Sequence, residues 1–574
     1  MEGGRRARAA PESTVASLRA AVFHGGALLR AVMRSDEARG GDSKTFVDRP
    51  LRGGRAAAVE GSRAAAAAAA AAAPADYVRA HFGAAGSDVE RAPLADYRVW
   101  EGESLGDALS GKVNPRSAGA ALARHCHAAW PSLCVRAKQC VSEAPANHTL
   151  LPLPKPAVVP GDRFRESYYW DSYWIALGLV ISGAPRAAAD VAENLISLVE
   201  AYGFVPNGAR SYYLNRSQPP LLSELVTSLW QDSRAREGGG REVLDTAWLA
   251  RAVAALKLEH AWLTAPPRQV TLPGGARLCR YWAATESPRP ESYAEDAALA
   301  AACAAERGDV EARSLMREVA ATAASGWDFS ARWFANASGG LRALRTTRTL
   351  AADLNGFMLQ MERNLAALCA ELGDVESSKR YATHAEARRR AIDDVLWCES
   401  RGCWRDAVLV DRDDPSLGIE EEKEDTPSPV SASDYVPLWC GVAVPGSPQA
   451  LAAVRSFASS GLLCRNGCVT TLAESGQQWD FPNVWPPLQH MLAEGLANSG
   501  HAEGEALGAS LARRWLRANA TALARTGQMH EKLDALAWDG KPGGGGEYEP
   551  QVGFGWTNGV VLRLLERFGW QDEA

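Results

Sequence analysis

The sequence has 574 residues, with 62 lysines and arginines against 68 aspartates and glutamates, and a formal net charge of −6. Hydrophobic residues make up 47% and charged residues 23%, which is typical of a globular protein and excludes an intrinsically disordered chain. The acidic balance argues against a nucleic-acid partner, because binding phosphates requires a basic surface. No apolar run approaches the ~18 residues that a membrane-spanning helix needs, so we also expect no transmembrane segment.

The first part of the chain differs in composition from the rest. Residues 1–22 are arginine-rich and lack the apolar core of a secretory signal, so we expect a disordered N-terminal tail. Residues 56–73 form a low-complexity, alanine-rich insert. No linker rich in Gly, Ser or Pro divides residues 90–574, and we therefore expect residues 23–574 to form one domain that contains the insert.

Helical spacing of apolar residues dominates the remaining sequence. The spacing predicts helices over 191–202 before Gly203, 222–229 after Pro219 and Pro220, 365–372 before Gly373, and 561–568 before Gly569. Alternating patterns rich in β-branched residues are scarce. Repeated helix–loop–helix units over most of the chain indicate an all-α toroid or solenoid rather than a four-helix bundle.

The loops between these helices contain five segments rich in Arg, Asp, Glu and Trp. They lie at 160–174, 206–220, 289–291 together with 325–330, 478–487, and 531–559. Each segment alone is typical of a solvated loop or of aromatic packing, since short motifs often occur by chance. Together they indicate one pocket in which aromatic rings stack on the apolar faces of sugars while charged groups bind hydroxyls.

The chemistry of these segments favours hydrolysis of a glycosidic bond over phosphoryl transfer. The glycine run Gly543–Gly546 is not followed by Lys and Ser or Thr, and Glu547 would repel a phosphate. The chain has 11 cysteines, too few for a disulfide scaffold of this length. Neither the pair Cys398 and Cys403 nor the pair Cys464 and Cys468 has zinc-site spacing, so we favour free thiols over local disulfides and expect no metal.

The segments PGDRFRESYYWDSYW, RSYYLNRSQPP, SGWDFSARW, QQWDFPNVWPP and GGGGEYEPQVGFGWTNGV, in this order, resemble the trehalase family of glycoside hydrolases. Asp42–Asp48, with the sequence DSKTFVD, resembles the opening segment of that family. The resemblance covers nearly the whole chain apart from the alanine-rich insert. It implies an all-α (α/α)6 barrel as the catalytic domain, α,α-trehalose as substrate, an inverting mechanism and no cofactor.

Carried over position by position, the resemblance implies that Asp328 is the general acid and Glu531 the general base. It implies sugar contacts for a larger set of residues: Arg163, Trp170, Asp171, Asn207, Arg216, Ser217, Gln218, Arg289, Pro290, Glu291, Gly326 and Glu547. Three positions depart from the family pattern, and none of them removes a matched catalytic group. Ala324 replaces Glu, Leu533 replaces Tyr, and Asp162 replaces Gly.

An inverting glycosidase needs one protonated carboxyl group and one ionised carboxylate, held ~6.5–9.5 Å apart so that water fits between them and the sugar. We therefore expect Asp328 to keep its proton near neutral pH, favoured by burial against Trp327 and by a like charge nearby. The arginines of the pocket would keep the other carboxylates ionised. Two alternatives stay open: a helical-barrel glycosidase for another disaccharide, and a sugar-binding or sensing protein with little activity.

For the location of the protein, the sequence offers no recognisable targeting pattern. We expect a cytoplasmic chain, with secretion as the alternative if the N-terminus is incomplete. A glycan on Asn215 would crowd Arg216 and Gln218, which agrees with the cytoplasmic interpretation. N-glycan acceptor motifs occur at four positions: Asn147, Asn215, Asn336 and Asn519.

Overall fold

The computed structural model describes residues 27–52, 72–161, 163–236, 244–421 and 429–571. The expected tail at 1–22 and nearly all of the alanine-rich insert at 56–73 lie outside the described residues, so the division into a tail and one domain stays a prediction. Within the described ranges, no helix has the length and apolarity needed to cross a membrane.

The α-helices are, in chain order, α1 (Ala27–Met33), α2 (Asp36–Arg39), α3 (Ser43–Val47), α4 (Pro74–His81), α5 (Ala118–Leu133), α6 (Gln139–Glu143), α7 (Tyr169–Ile181), α8 (Pro185–Tyr202), α9 (Leu222–Arg236), α10 (Thr246–Leu263), α11 (Tyr293–Arg307), α12 (Asp309–Ala324), α13 (Ala352–Glu371), α14 (Val375–Val395), α15 (Val436–Trp439), α16 (Pro448–Ser459), α17 (Pro486–Ala497), α18 (Ala502–Thr526) and α19 (Gly555–Phe568). All four predicted helices are confirmed, in α8, α9, α13 and α19.

The strands are short and pair only with antiparallel neighbours. They are β1 (Val89–Arg91), β2 (Cys134–Ala137), β3 (Ala157–Val158), β4 (Gln269–Thr271), β5 (Arg277–Cys279), β6 (Thr349–Leu350), β7 (Trp397–Cys398), β8 (Cys403–Trp404), β9 (Ala407–Val408), β10 (Leu463–Cys464), β11 (Gly467–Cys468), β12 (Asn483–Val484) and β13 (Leu533–Asp534). One sheet has the order β1-β2-β3, and the others are two-stranded.

The helices form two concentric rings. Within the described chain, α7, α9, α13, α15, α17 and α19 pack side by side in this order, and α19 returns to pack on α7. A second layer lies outside this ring and consists of α5, α8, α10, α14, α16 and α18. The hairpin of α11 and α12 is inserted between α10 and α13. This closed double ring confirms the predicted (α/α)6 barrel.

Two glycines allow the ring to close where α7 meets α19, a contact that we call the seam. A Cβ added to Gly559 would lie 2.0 Å from the carbonyl oxygen of Trp174. A Cβ added to Gly178 would lie 2.8 Å from Cα of Gly559. No side chain fits at these separations, so the seam depends on a backbone-to-backbone approach that only glycine permits.

The N-terminal part of the described chain forms a cap with its own hydrophobic cluster. The cap comprises residues 27–52 and 74–82, and Leu29, Phe46 and Phe82 form its buried centre. Tyr168 and Tyr212, which belong to the loops of the barrel, complete this cluster. Helix α3 of the cap also packs on the 3₁₀ turn Pro290–Ser292. The cap is therefore in contact with several loops of the predicted pocket.

Candidate active site

A cavity lies where the loops of the barrel meet the cap. Trp170 and Asp171 reach it from the first turn of α7, Trp485 from the residue before α17, and Trp556 from the first turn of α19. The N-terminal ends of several inner helices thus point toward one space. All five polar-aromatic segments of the sequence contribute to its lining.

Most of the residues predicted for the site line this cavity. They are Arg163, Trp170, Asp171, Asn207, Arg216, Gln218, Arg289, Glu291, Gly326, Asp328, Glu531 and Glu547.

Two residues of the predicted set are buried beside the cavity without lining it. The hydroxyl group of Ser217 donates to the carbonyl oxygen of Val205 at 2.6 Å, so it is directed at the backbone. Pro290 begins the 3₁₀ turn that presents Glu291. Their contribution to the site is to shape the backbone of neighbouring residues that do reach the cavity.

Two of the departures from the family pattern also lie away from the cavity wall. Ala324 is buried at the end of α12, and Leu533 packs in a small cluster with Ala518 and Ala522 of α18. Asp162 lies outside the described residues. Neither Ala324 nor Leu533 is among the residues that line the cavity.

Asp328 lies in the loop after α12, directly beyond Gly326 and Trp327. Gly326 has φ 77°, in the left-handed region that favours glycine, and a Cβ there would lie 2.7 Å from the ring of Trp170. Burial raises the pKa of Asp328 to about 7, with Arg289 at 3.8 Å opposing the rise and Glu547 supporting it. This raised pKa agrees with the expectation that Asp328 keeps its proton near neutral pH, which stays a prediction.

Glu531 is held in one orientation by donors from a neighbouring loop. The hydroxyl group of Tyr548 donates to Oε1 at 2.8 Å, and the backbone N–H of Gln551 donates to Oε2 at 3.2 Å. Burial raises the pKa of Glu531, while Lys532 and the hydrogen bond from Tyr548 act against the rise because they favour the ionised form. The cavity therefore holds two carboxyl groups in different electrostatic environments.

Arginines and carboxylates alternate along one side of the cavity. Arg289 binds Asp296 through Nε and Nη2 at 2.9 and 2.8 Å, and Glu547 through Nη2 at 3.0 Å. Arg216 donates to Glu291 at 2.6 Å. Burial alone would raise the pKa of Glu291, but Arg216 and Arg289 outweigh it, so the pKa is lowered. Glu291 is therefore ionised at neutral pH and can accept hydrogen bonds from hydroxyl groups.

The cap supplies contacts that sequence reasoning missed. Arg163 donates to both carboxylate oxygens of Asp42, at 2.8 and 3.1 Å. Lys44 lines the cavity, and its Nζ donates to Asp48 at 2.8 Å and to Glu166 at 2.5 Å. The only signal in the sequence was the DSKTFVD segment itself, because nothing in residue type indicates a partner more than a hundred positions away.

Tryptophan rings form one wall beside the charged groups. Trp479 stacks on Trp485 with centroids 4.1 Å apart and on Trp327 at 5.6 Å, with all three rings nearly parallel. Trp170 and Trp556 pack against this stack. Trp479 and Trp485 are among the residues that line the cavity.

The described residues contain no group of three or more His, Cys, Asp or Glu side chains that is arranged to hold a metal ion. The 11 cysteines are all described, and each is a free thiol in this structure. Cys398 and Cys403 face each other across β7 and β8 without a bond.

A closed helical double ring around a cavity lined by Asp328, Glu531, arginines and tryptophans is the arrangement of a helical-barrel glycoside hydrolase. The family model for trehalases matches residues 39–569 of the chain. The chain therefore belongs to the trehalase family.

Individual relatives agree with this assignment. The chain is 39% identical to the probable trehalase of Oryza sativa subsp. japonica, over 93% of this chain and 92% of the relative. It is 36% identical to the trehalase of Homo sapiens, over 86% of this chain and 79% of the relative. The solved neutral trehalase of Saccharomyces cerevisiae superposes with a TM-score of 0.57 at 26% identity, covering 71% of this chain and 73% of that one.

Proposed function

We propose that the protein hydrolyses α,α-trehalose to two molecules of glucose with inversion, and that Asp328 is the general acid and Glu531 the general base. The observation that carries this proposal is the pair of unequal carboxyl groups in one cavity that arginines and tryptophans line. The names of the relatives, which are trehalases, support the choice of substrate.

In the proposed reaction, Asp328 gives its proton to the oxygen that joins the two glucose units. With a pKa of about 7, a substantial fraction of Asp328 carries this proton at neutral pH. As the bond between that oxygen and the attacked anomeric carbon breaks, the oxygen leaves as the hydroxyl group of the first glucose. Asp328 is then a carboxylate, which Arg289 at 3.8 Å stabilises.

Glu531 performs the second proton transfer. Its carboxylate accepts a proton from a water molecule while the water oxygen attacks the anomeric carbon from the face opposite to the leaving oxygen. The hydrogen bonds from Tyr548 and Gln551 fix both carboxylate oxygens, so the direction in which the water is deprotonated is fixed as well. The attacked unit becomes β-glucose, and the leaving unit remains α-glucose.

Substrate binding follows from the charged and aromatic walls. We assign hydroxyl contacts to Arg163, Arg216 and Arg289, because each guanidinium is held in place by carboxylates around the cavity. Trp170, Asp171, Asn207 and Gln218 complete the walls from other loops.

The direct test is glucose release from trehalose by the purified protein, its Asp328→Asn variant and its Glu531→Gln variant. Each variant is expected to lose several orders of magnitude in turnover, because a proton donor or acceptor is removed from the reaction. Asp309→Asn is the matched control, since Asp309 is exposed at the other end of the helix that leads to Asp328, and it should be fully active. Turnover of Asp328→Asn within roughly tenfold of the wild type would rule out its assignment.

Proton NMR of the first products distinguishes the stereochemical outcomes. One α- and one β-glucose per trehalose are expected, whereas α-glucose alone would mean retention and a different carboxylate geometry. Faster release of glucose from maltose or sucrose would assign a different disaccharide to the site. Calorimetric binding of trehalose without glucose release would identify a sugar-binding protein instead.

A further inference from the structure

Lys532 follows the proposed general base and is completely buried. Its Nζ donates to Oε1 of Gln478 at 3.0 Å and to the carbonyl oxygen of Gly545 at 3.2 Å. It also lies 4.9 Å from the ring centroid of Trp485. In the described part of the chain, no carboxylate lies within ion-pairing distance of this ammonium group, although the site around it is rich in carboxylates.

A buried ammonium group without a direct ionic partner is costly, and proteins keep one only where other interactions compensate. Burial lowers the pKa of Lys532 to about 8, while Glu531 and Asp328 act to raise it. Glu531, the proposed base, is therefore the main carboxylate that favours the protonated form of Lys532. By reciprocity, the cation of Lys532 favours the ionised form of both, and of Glu531 in particular.

The hydrogen bonds of Lys532 connect three loops of the site. Gln478, which accepts from Nζ, donates through Nε2 to the carbonyl oxygen of Asp328 at 2.5 Å. The glycine run is attached twice, because Gly545 accepts from Nζ and the backbone N–H of Gly543 donates to the carbonyl oxygen of Lys532 at 3.2 Å. Lys532 thus lies where three loops meet: the loop that carries Asp328, the loop that carries Glu531 and the glycine run.

We infer that Lys532 is a positioning residue for the reaction: through Gln478 it fixes the loop that carries Asp328, and its positive charge keeps Glu531 ionised. The inference rests on the proposed function, because it assigns Lys532 a part in the same acid–base pair. Lys532 itself is not among the residues that line the cavity.

Several other charged or titratable groups act on Glu531 and enter the expected pH dependence. Tyr548, from the loop after the glycine run, and Arg163, from the loop before α7, favour its ionised form. Asp171, on the first turn of α7, and Glu531 each disfavour the ionised form of the other. Because these groups remain when Lys532 is changed, the acidic limb of the pH profile should move without disappearing.

The central experiment is the pH dependence of kcat/KM for trehalose in Lys532→Met, which keeps the length of the side chain and removes the charge. The limb that reports protonation of Glu531 is expected to move upward by about half a pH unit or more. At the pH optimum, kcat should fall roughly tenfold to a hundredfold while KM changes less, because the loop that carries Asp328 is no longer fixed. Lys541→Met is the matched control, since Lys541 is 60% exposed on the segment that follows β13 and should behave as wild type.

Gln478→Leu tests the same connection without removing a buried charge. Gln478→Leu should lower kcat about tenfold and leave the acidic limb of the pH profile in place. The double variant, with both Gln478→Leu and Lys532→Met, should have a kcat within about threefold of that of Lys532→Met alone, because both changes break the same chain of contacts. These two results keep the inference testable if Lys532→Met does not fold.

The outcomes separate this inference from the proposed function. A wild-type protein that releases no glucose from trehalose would refute the proposed function. An active wild type whose acidic limb is unmoved in Lys532→Met, or whose turnover is unaffected by Gln478→Leu, would refute the role of Lys532 alone.

Discussion

Replacing Gly326 by alanine should damage both stability and catalysis, because two independent constraints meet at this residue. Its φ of 77° places the backbone in the left-handed region, where a residue with a Cβ costs about 1–2 kcal/mol. The added Cβ would also lie 2.7 Å from Trp170, closer than real Cβ contacts allow. Trp170 cannot easily move, because Trp174, Trp479 and Trp556 surround its ring at 5.4 to 5.8 Å.

Overpacking of this kind costs about 1–3 kcal/mol, so Gly326→Ala should lower the free energy of unfolding by about 2–5 kcal/mol in total. The chain offers a matched control in Gly183, which has φ 79° and no atom within 4 Å of a Cβ position. Gly183→Ala should therefore show only the backbone cost. The difference between the two variants isolates the contact with Trp170.

Urea unfolding and glucose release measure the two effects separately. Because Asp328 follows two residues later, a shift of the loop by about 1 Å should reduce turnover roughly a hundredfold in Gly326→Ala and leave it unchanged in Gly183→Ala. Equal unfolding midpoints and equal turnover for the two variants would show that Trp170 does not constrain the loop that carries Asp328.

Three further predictions concern the pH profile, the cap and the surface. Since Asp328 must be protonated and has a pKa of about 7, kcat/KM measured from pH 5 to 9 should fall as the pH rises through that value, and a flat profile to pH 9 would contradict the assignment. Asp42→Asn removes the ionic partner of Arg163 and should lower kcat/KM about tenfold in steady-state assays, whereas an unchanged value would mean that the pair is not needed. When the chain is expressed through a secretory pathway, peptide mapping should find a glycan on the exposed Asn336, while occupancy of Asn519, which is buried in α18, would contradict the fold there.

The fold could be predicted from the sequence as far as local rules extend. The leucine spacing over 222–229, which follows two prolines, predicted α9. Gly203 ends α8 in a left-handed conformation with φ 82°, as expected for a glycine that terminates a helix. Periodicity alone did not distinguish a closed ring from an open solenoid. Closure depends on the contact of α7 with α19, which nothing local in either helix specifies.

The sequence motifs predicted which residues form the site, but not the hydrogen bonds between them. The residue types in PGDRFRESYYWDSYW and SGWDFSARW indicated a sugar site, but not that Asp42 holds Arg163 or that Tyr548 holds Glu531. Ser217 illustrates the same limit, because a serine in a binding motif is equally able to donate to the backbone, as it does here to Val205. Hydrogen-bond partners are chosen by the tertiary arrangement, which a single sequence does not encode in residue type.

The glycine seam has a consequence for how the protein is made. The inner ring joins α7 to α19 across nearly four hundred residues, and α19 leaves the ribosome after the other five inner helices. Until then, the apolar face of α7 that α19 covers has no partner, and the cavity lacks Trp556. The nascent chain therefore carries an incomplete ring with an exposed apolar edge for most of its synthesis, the kind of intermediate that chaperones bind. Catalytic competence arises in one late step, when Gly559 reaches Gly178 and the ring closes.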